Sequence, residues 1–386
     1  MHTFDELTQR LNAAWKPHKQ PRTSRSFRCR CGRPLFFRNS QCLGCRTALG
    51  YDPERGELLP LDPVAPGLWR AASQADGGPV YRRCIHFDSA AGCNWLVQVQ
   101  DADVAAAGDA LPCRACRLNR NVADPSDHEH ALLLGRIEVA KRRLVSQLIG
   151  LGLPVRSKVD DPEHGLAFDL LAPTPGGPPV MTGHASGLIT LNIEEADHPT
   201  RERVRKEMNE PYRTLLGHFR HEVGHYYWDL LVRDTGWIEP FRSLFGDERQ
   251  DYGEALRRNY TEGPPPDWPA RFVSSYASMH PWEDWAETWA HYLHMIDTVD
   301  TALSFGLEAD DIEVPVEPWG RDALWRPDDP DADACLGFLN AWIELTAVFN
   351  ELARSMGQQD FYPFVLPRAA VQKLQLIHLI VRGRSP

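Results

Sequence analysis

The sequence lacks any apolar run of about 18 residues, which is the length that a helix needs to cross a bilayer. It also lacks an N-terminal secretory segment with an apolar centre, and it contains no lipidation motif. These absences argue against a membrane-spanning, exported or lipid-anchored protein, so we expect a cytoplasmic protein without a membrane partner. The 386 residues are many for one domain, and two or three units are expected.

Cysteine is scarce after residue 120, where Cys335 stands alone on a predicted helix and is expected to lie in the apolar core. The other eight cysteines come earlier, in short paired spacings. In a chain without an export signal, such spacings favour tetrahedral zinc sites with thiolate ligands over disulfides, although scattered reduced core cysteines are an alternative. We predict two structural zinc sites, the first formed by Cys29, Cys31, Cys42 and Cys45 and the second by Cys84, Cys93, Cys113 and Cys116. The first pair of the first site is one residue shorter than a usual knuckle, so its full occupancy by metal stays open.

The segment His221-Glu222-Val223-Gly224-His225 is the most informative in the chain. Histidines four residues apart lie one above the other on a helix face, so both imidazoles can reach one metal ion. A glutamate beside the first histidine can take a proton from water held by the metal. We predict His221 and His225 as zinc ligands and Glu222 as the general base. The apolar spacing predicts a helix at about 211–232, and the alternative is a helix with two solvated histidines.

A second acidic cluster follows Pro281, a residue that can open a helix. Two histidines are one protein ligand short of the three that a catalytic zinc site commonly uses. Glu283 and Glu287 would lie one turn apart on one helix face, so one can bind zinc while the other accepts a hydrogen bond from a ligand histidine. We assign Glu283 as the third ligand and Glu287 as the hydrogen-bond acceptor. The alternative is an acidic helix start that the helix dipole favours.

Other choices of the third ligand can be compared. The metzincins, a class of zinc peptidases with a third histidine ligand, would need glycine at position 228 and histidine at position 231. The chain has Trp228 and Leu231, which excludes this class. Three further histidines lie within a few helical turns of the proposed ligands and are weaker alternatives, namely His218, His291 and His294.

The pattern His221-Glu222-x-x-His225 with a glutamate on a later helix resembles the gluzincin branch of the zincin metallopeptidases. The tyrosine seven residues before Glu283 resembles the lethal-factor type of that branch. By that resemblance, Tyr276 would stabilise the oxyanion, a role that a preorganised phenol donor can fill.

A wider part of the chain is similar to the bacterial family of zinc-binding metallopeptidases with an N-terminal zinc ribbon. The segments that carry the similarity are 31–37, 49–51, 93–96, 113–120, 140–144 and 280–284. This resemblance covers most of the chain. It implies an α+β fold, in which zinc-ribbon modules precede a mainly helical zincin domain with a small β-sheet.

The expected organisation has three parts. They are a flexible basic tail at 1–26, a zinc-ribbon region at 27–125 and a zincin metallopeptidase domain at 128–386. Within the last part, strands are expected at 167–171 and 188–193, and the later strand fits the edge strand that holds an extended peptide in zincins. Long helices are expected at 128–151, 332–356 and 367–381.

Charge is divided unevenly along the chain. Residues 1–125 contain 17 Lys and Arg against 12 Asp and Glu, whereas the remainder contains 25 against 41. A basic zinc module can dock an acidic protein surface, bind nucleic acid or be purely structural. We favour docking of a protein or a structural role over nucleic acid, because the acidic remainder repels phosphate.

Two classes of function follow from these patterns. The first is a zinc-dependent peptidase that acts on peptide or isopeptide bonds of a peptide or protein substrate. The second is a zinc-ribbon adaptor for protein or nucleic acid whose zincin domain is catalytically silent. An intact Glu222 favours the first.

Overall fold

The first part of the chain folds into short antiparallel strands. The computed structural model describes residues 20–72, 78–99, 111–207, 212–308, 312 and 316–386. Strands β1 (Ser26–Arg28) and β2 (Pro34–Phe36) form a hairpin. A five-stranded sheet follows in chain order, with strands β3 (Ala48–Asp52), β4 (Glu57–Ala65), β5 (Leu68–Ala71), β6 (Val80–Arg83) and β7 (Leu96–Val99).

A second sheet has four strands in the order β10-β11-β9-β8. These strands are β8 (Asn119–Val122), β9 (Ala167–Leu171), β10 (Gly183–Ala185) and β11 (Leu188–Asn192). The prediction that 188–193 is the edge strand is wrong, because β10 pairs antiparallel with β11 and takes the edge position. Ser186 and Gly187, with φ of 47° and 80°, form the two-residue turn between them. Strand β10 escaped prediction because three residues carry no readable alternation.

The rest of the chain is mainly helical. The helices within the described residues are α1 (His128–Gly150), α2 (His198–Glu207), α3 (Leu215–Leu231), α4 (Ile238–Phe245), α5 (Tyr252–Glu262), α6 (Trp268–Arg271), α7 (Pro281–Ser304), α8 (Ala332–Ser355) and α9 (Arg368–Val381). The Thr214 side chain caps α3 by accepting the backbone N–H of Gly217, so the predicted start near residue 211 is too early. The α+β fold class is confirmed.

The two halves of the chain share a sheet and a core. Strand β8 precedes the predicted boundary at 125–128, yet it pairs with β9 beyond that boundary. One apolar core extends from Leu35 in the first hairpin, through Trp95 and Leu134, to Ile380 in α9. The zinc-ribbon region is therefore built into the helical domain.

Residues 20–25, which we call the N-terminal strap, lie against the last turns of α7. The backbone N–H groups of Arg22 and Thr23 donate to the carboxylate of Asp300 at 3.1 and 3.2 Å. The Arg25 side chain donates from Nε to Oδ1 of Asp297 at 3.0 Å, and Thr23 and Arg25 are both buried. The predicted flexible tail is wrong for these residues, because buried carboxylates hold them. Its residues 1–19 lie outside the described part of the chain.

Helix α8 is the one described helix that is long and apolar enough to cross a membrane. This is weak evidence for insertion, because the core helix of a soluble protein passes the same test. Cys335 and Leu339 on α8 are fully buried in the protein core. Burial raises the pKa of the Cys335 thiol to about 12, as expected for an inert core cysteine.

Candidate active site

Helices α3 and α7 approach each other closely at Gly224. A Cβ atom on Gly224 would lie 3.0 Å from the Cα atom of Ala286, so a larger side chain would force the helices apart. The indole of Trp285 donates from Nε1 to the Gly224 carbonyl at 2.9 Å. The glycine between His221 and His225 therefore lets α7 reach the face of α3 that carries both histidines.

Three predicted ligands meet at this helix crossing. His221 Nε2 lies 3.0 Å from Oε2 of Glu283, and His225 Nε2 lies 3.5 Å from Oε1 of the same carboxylate. One potential ligand atom from each residue lies within 4.8 Å of the others. Glu283 stands in the first turn of α7, which begins at Pro281 and is capped by the His280 side chain.

This group of side chains fits a zinc ion. Two imidazoles and one carboxylate are a common ligand set of catalytic zinc. Glu283 is 2 % exposed, and its Oε2 atom lacks a suitably directed hydrogen-bond donor among the described residues. Burial lowers the pKa of His221, but its contacts with Glu283 and Glu287 outweigh burial and raise it. The buried carboxylates thus favour a positive charge here, and a cation can supply it.

Glu287 lies one turn further along α7 and contacts the other ring nitrogen of His221. Its Oε1 atom is 2.8 Å from Nδ1, and the Ser274 hydroxyl donates to its Oε2 atom at 2.6 Å. Burial raises the pKa of Glu287, but the contact with His221 outweighs burial and lowers the pKa to about 2. A charged Glu287 fixes the imidazole ring and leaves Nε2 facing Glu283. Ser274 was not predicted, because it belongs to no motif.

Glu222 lies on α3 directly after His221. It is 9 % exposed, and it forms no hydrogen bond or ion pair with another residue in the described part of the chain. Glu283 and Glu287 are each held by a histidine instead. Of these three carboxylates, Glu222 is the one that contacts none of the histidines that the structure describes, so both of its oxygen atoms remain available for proton transfer.

Two tyrosines lie beside Glu283. The ring of Tyr276 has its centroid 6.0 Å from that of His221. The hydroxyl of Tyr252, the first residue of α5, donates to Oε1 of Glu283 at 2.9 Å. Burial and the charge of Glu283 raise the pKa of both phenols, so both remain protonated donors. The sequence pattern indicated Tyr276 but not Tyr252, which lies 31 residues before Glu283 and outside any motif.

Aromatic rings enclose His225. The ring centroid of Trp282 lies 3.9 Å from that of His225. His184 in the edge strand β10 stacks on the same ring, with centroids 6.2 Å apart and planes 22° apart. Burial lowers the pKa of His184 to about 3, so this ring is neutral. Strand β10 therefore borders the group of ligand atoms.

The three alternative histidine ligands are engaged elsewhere. His218 contacts Glu195, His294 contacts Arg220, and His291 contacts Tyr362. Within the described residues, the group of close ligand atoms at the helix crossing contains none of these histidines.

Each predicted set of four cysteines can hold one ion. The four Sγ atoms of each set lie within 4.8 Å of one another. The Sγ–Sγ distances are 3.5 Å for Cys29 and Cys45, 3.7 Å for Cys31 and Cys42, 3.6 Å for Cys93 and Cys113, and 3.8 Å for Cys93 and Cys116. A tetrahedral zinc ion with bonds of about 2.3 Å to sulfur requires separations of about 3.8 Å, which these distances approach.

The two cysteine sets differ in exposure. Cys31 and Cys45 of the first set are exposed, whereas all four cysteines of the second set are buried. The short spacing between Cys29 and Cys31 is accommodated by a tight turn, in which Gly32 has a φ of 82° and donates its backbone N–H to the Cys29 carbonyl at 2.8 Å. The shortened knuckle therefore still brings four sulfur atoms together.

The family of the chain follows from its similarity to known proteins. A family model described as "Putative zinc-binding metallo-peptidase" matches residues 131–380, which include the whole helix crossing, and a zinc-ribbon domain model matches residues 26–127. The chain belongs to this metallopeptidase family. The predicted resemblance to the family with an N-terminal zinc ribbon is confirmed.

Several mycobacterial proteins are similar to this family member over nearly their whole length. The uncharacterized protein Rv2568c of Mycobacterium tuberculosis and the uncharacterized protein Mb2598c of Mycobacterium bovis are each 42% identical to it over 369 residues. The aligned region covers 94% of this chain and 96% of each relative. No solved structure gives a significant match.

Proposed function

We propose that the protein is a zinc-dependent peptidase that hydrolyses peptide or isopeptide bonds. The observation that supports this most strongly is the meeting of His221, His225 and Glu283 beside an unpaired Glu222. Membership of a family described as zinc-binding metallopeptidases supports the same conclusion.

In this proposal, His221, His225 and Glu283 hold the catalytic zinc. When bound, zinc supplies a positive charge that polarises a carbonyl group and lowers the pKa of water. Glu287 accepts a hydrogen bond from Nδ1–H of His221 and keeps the ring oriented, and the Ser274 hydroxyl in turn donates to Glu287.

Glu222 is the proposed general base. Its carboxylate takes a proton from water while the water oxygen attacks the carbonyl carbon of the substrate. The same proton then passes to the amine nitrogen as the carbon–nitrogen bond breaks. The position of Glu222 next to a ligand histidine, with 9 % of its surface exposed, suits a group that must meet one water molecule and otherwise stay dry.

The two tyrosines have different proposed roles. The hydroxyl of Tyr252 is committed to Oε1 of Glu283, so it restrains that carboxylate. Tyr276 makes no such bond to Glu283. Its hydroxyl contacts that of Tyr252, and we propose that it turns to donate to the oxygen that becomes negative during the attack. A preorganised donor of this kind contributes about 10²–10³-fold to the rate.

The substrate is proposed to bind as an extended peptide along β10. Strand β10 is an edge strand of its sheet and, among the described strands, pairs with β11 alone. Its outer backbone groups can therefore pair with another strand. His184 connects this strand with the ring of His225. The two cysteine sets are proposed to hold two further, structural zinc ions, for a total of about three.

The decisive experiment compares wild-type protein with Glu222→Gln, both full length and loaded with zinc. A peptide library is the substrate, mass spectrometry detects products, and a chelator serves as a control. Glu222→Gln is expected to lower hydrolysis by about 10²–10⁴-fold and to leave the zinc content unchanged. Glu262→Gln, at the exposed end of α5, is the matched control and should change neither.

Two results would contradict the proposal. If Glu222→Gln loses zinc together with activity, Glu222 belongs to the ligands and is not the base. If zinc-loaded wild type cleaves no peptide of the library, the alternative of an adaptor with a silent zincin domain is favoured.

A further inference from the structure

The segment that carries the first cysteine set has an unusual charge. Residues 20–51 contain seven arginines and no aspartate or glutamate, although the whole chain has a net charge of −11. Arg25 of the strap is buried. The other six arginines are exposed, namely Arg22, Arg28, Arg30, Arg33, Arg38 and Arg46. Positive charge is therefore concentrated in one short segment of an acidic protein.

Most of these arginines have no internal counter-ion. Arg30 pairs with Asp62 at 2.7 Å. Arg33, Arg38 and Arg46 form no ion pair with any residue that the structure describes. The arginines near the second cysteine set behave differently, because Arg114 pairs with Glu54, Arg117 with Asp160, and Arg120 with Asp169. The segment 20–51 thus leaves guanidinium groups available, whereas those near the second cysteine set are neutralised.

Arg46 stands at a position where the backbone does not favour arginine. Its φ is 59°, a left-handed conformation that costs an ordinary residue free energy and that glycine adopts freely. The residue follows Cys45 directly and donates its backbone N–H to the Cys42 carbonyl at 2.9 Å. A guanidinium with a binding role would explain an arginine in this turn.

The apolar groups on the same surface indicate the class of partner. Leu43, between the two cysteines of the knuckle, is 92 % exposed. Phe36 is also exposed, and its ring stacks loosely on that of Phe305, with centroids 6.4 Å apart. Single-stranded nucleic acid is usually held by free aromatic faces between cationic groups, and an aliphatic tip does not provide one. An acidic polypeptide with apolar residues matches both the guanidinium groups and Leu43.

We propose that the surface formed by Arg33, Arg38, Leu43 and Arg46, which we call the arginine face, docks an acidic segment of a protein. That this protein is a substrate rests on the proposed peptidase function, whereas the binding itself does not. Guanidinium groups donate paired hydrogen bonds to carboxylates, and such exposed contacts weaken as salt screens them.

The test measures binding of a short fluorescein-labelled peptide with repeating Glu-Glu-Leu by fluorescence anisotropy. Its neutral counterpart repeats Gln-Gln-Leu, and titrations are made at about 50 and about 200 mM NaCl. The variant is Arg38→Ala with Arg46→Gly, in which the second change also relieves the left-handed backbone. The control is Arg114→Ala with Arg117→Ala, which removes the same number of charges from paired arginines. All proteins are full length, and their zinc content is measured.

The Kd of the acidic peptide is expected to rise roughly fivefold or more in the first variant and less than about twofold in the control. Higher salt should weaken binding of the acidic peptide to wild type, and the neutral peptide should bind poorly. If binding of the acidic peptide is weakened equally in both variants, or not at all in the first, the proposal that the arginine face docks acidic segments is wrong. Tighter binding of an oligothymidylate than of the peptide at the same salt would overturn the choice of a protein partner.

These outcomes separate docking from catalysis. Glu222→Gln should bind the acidic peptide as wild type does, and the Arg38 and Arg46 variant should cleave uncharged library peptides at the wild-type rate. Peptide binding without any hydrolysis would refute the proposed peptidase and leave the arginine face intact. Hydrolysis without binding of the acidic peptide would refute docking at the arginine face and leave the proposed peptidase function intact.

Discussion

Replacing Asp297 by asparagine tests how the N-terminal strap is fastened to the catalytic helices. Asp297 on α7 is 4 % exposed. It accepts hydrogen bonds from Arg25 of the strap at 3.0 Å, from Arg143 of α1 at 2.7 Å and from Arg220 of α3 at 2.7 Å. Arg220 directly precedes the ligand His221. One carboxylate therefore joins three segments next to the proposed metal site.

The expected loss of stability can be worked from this arrangement. Asp297→Asn keeps the shape of the side chain but leaves buried guanidinium groups without a counter-charge, and breaking a buried ion pair in this way costs about 3–5 kcal/mol. The entropy of unfolding is about 2.1 cal/mol/K per residue, or about 0.8 kcal/mol/K for 386 residues. The melting temperature should therefore fall by about 4–6 °C.

Calorimetry of zinc-loaded, full-length protein measures this shift. Asp300→Asn is the matched control, because Asp300 is also buried on α7 but accepts hydrogen bonds from the strap backbone alone, so its loss should cost about 1 kcal/mol. Equal shifts for the two variants would refute the reasoning. The zinc content of Asp297→Asn should also be recorded, because Arg220 and His221 are neighbours on α3.

The difference in unfolding free energy between wild type and Asp297→Asn should depend on pH in a definite direction. Burial raises the pKa of Asp297, but Arg25, Arg220 and Arg143 outweigh burial and lower it below its ordinary value. A carboxyl whose folded pKa is depressed stabilises the protein above its unfolded pKa of about 3.9, and this stabilisation is lost as the pH falls through the folded pKa. The difference in unfolding free energy between wild type and Asp297→Asn should stay constant between about pH 7 and pH 5 and become smaller only below about pH 4. If this difference in unfolding free energy already disappears near pH 6, the assignment of the pH dependence to Asp297 is wrong.

Three further predictions concern the metal sites. Glu283→Ala should abolish zinc binding at the helix crossing, whereas Glu287→Ala should weaken it by about 10–100-fold in zinc titrations. If Glu287→Ala has the larger effect, the roles assigned to the two glutamates must be exchanged. Tyr276→Phe should lower kcat by about 10²–10³-fold at full zinc occupancy, whereas Tyr252→Phe should chiefly lower zinc affinity; the same effect from both would deny them separate roles. Cys113→Ser should release one structural zinc ion and leave zinc at the helix crossing, as metal analysis can show, and full reaction of the native cysteines with a thiol reagent in the folded protein would argue against structural zinc.

The parts of the site that could be predicted from the sequence depend on local spacing. His221 and His225 share a helix face because they are four residues apart, and Glu283 and Glu287 share another for the same reason. The cysteine pairs are also local, since a knuckle is a turn between two ligands. In these cases the chemistry is written within one or two helical turns or one hairpin.

The parts that were missed depend on how distant segments pack. Tyr252 reaches Glu283 from a separate helix, and Ser274 reaches Glu287 from a loop. No periodicity marks either residue. The edge strand β10 is too short to show alternation, and Arg25 looked like one more charge in a basic tail until its partner on α7 was known. Sequence reasoning identifies a ligand by its type and spacing, but a supporting residue is defined by what it touches.

The N-terminal strap has a consequence for the order in which the protein can be completed during synthesis. The sulfur atoms of the first cysteine set come from residues no more than 16 positions apart, so this site can close while the ribosome is still making the first helix. The strap must wait much longer, because Arg25 and Asp297 are 272 positions apart. Until α7 has been made, Arg25 lacks the Asp297 carboxylate that accepts its hydrogen bond. The strap is thus made long before its partner on α7, and it can be fixed only on a chain that already contains every residue proposed to bind the catalytic zinc.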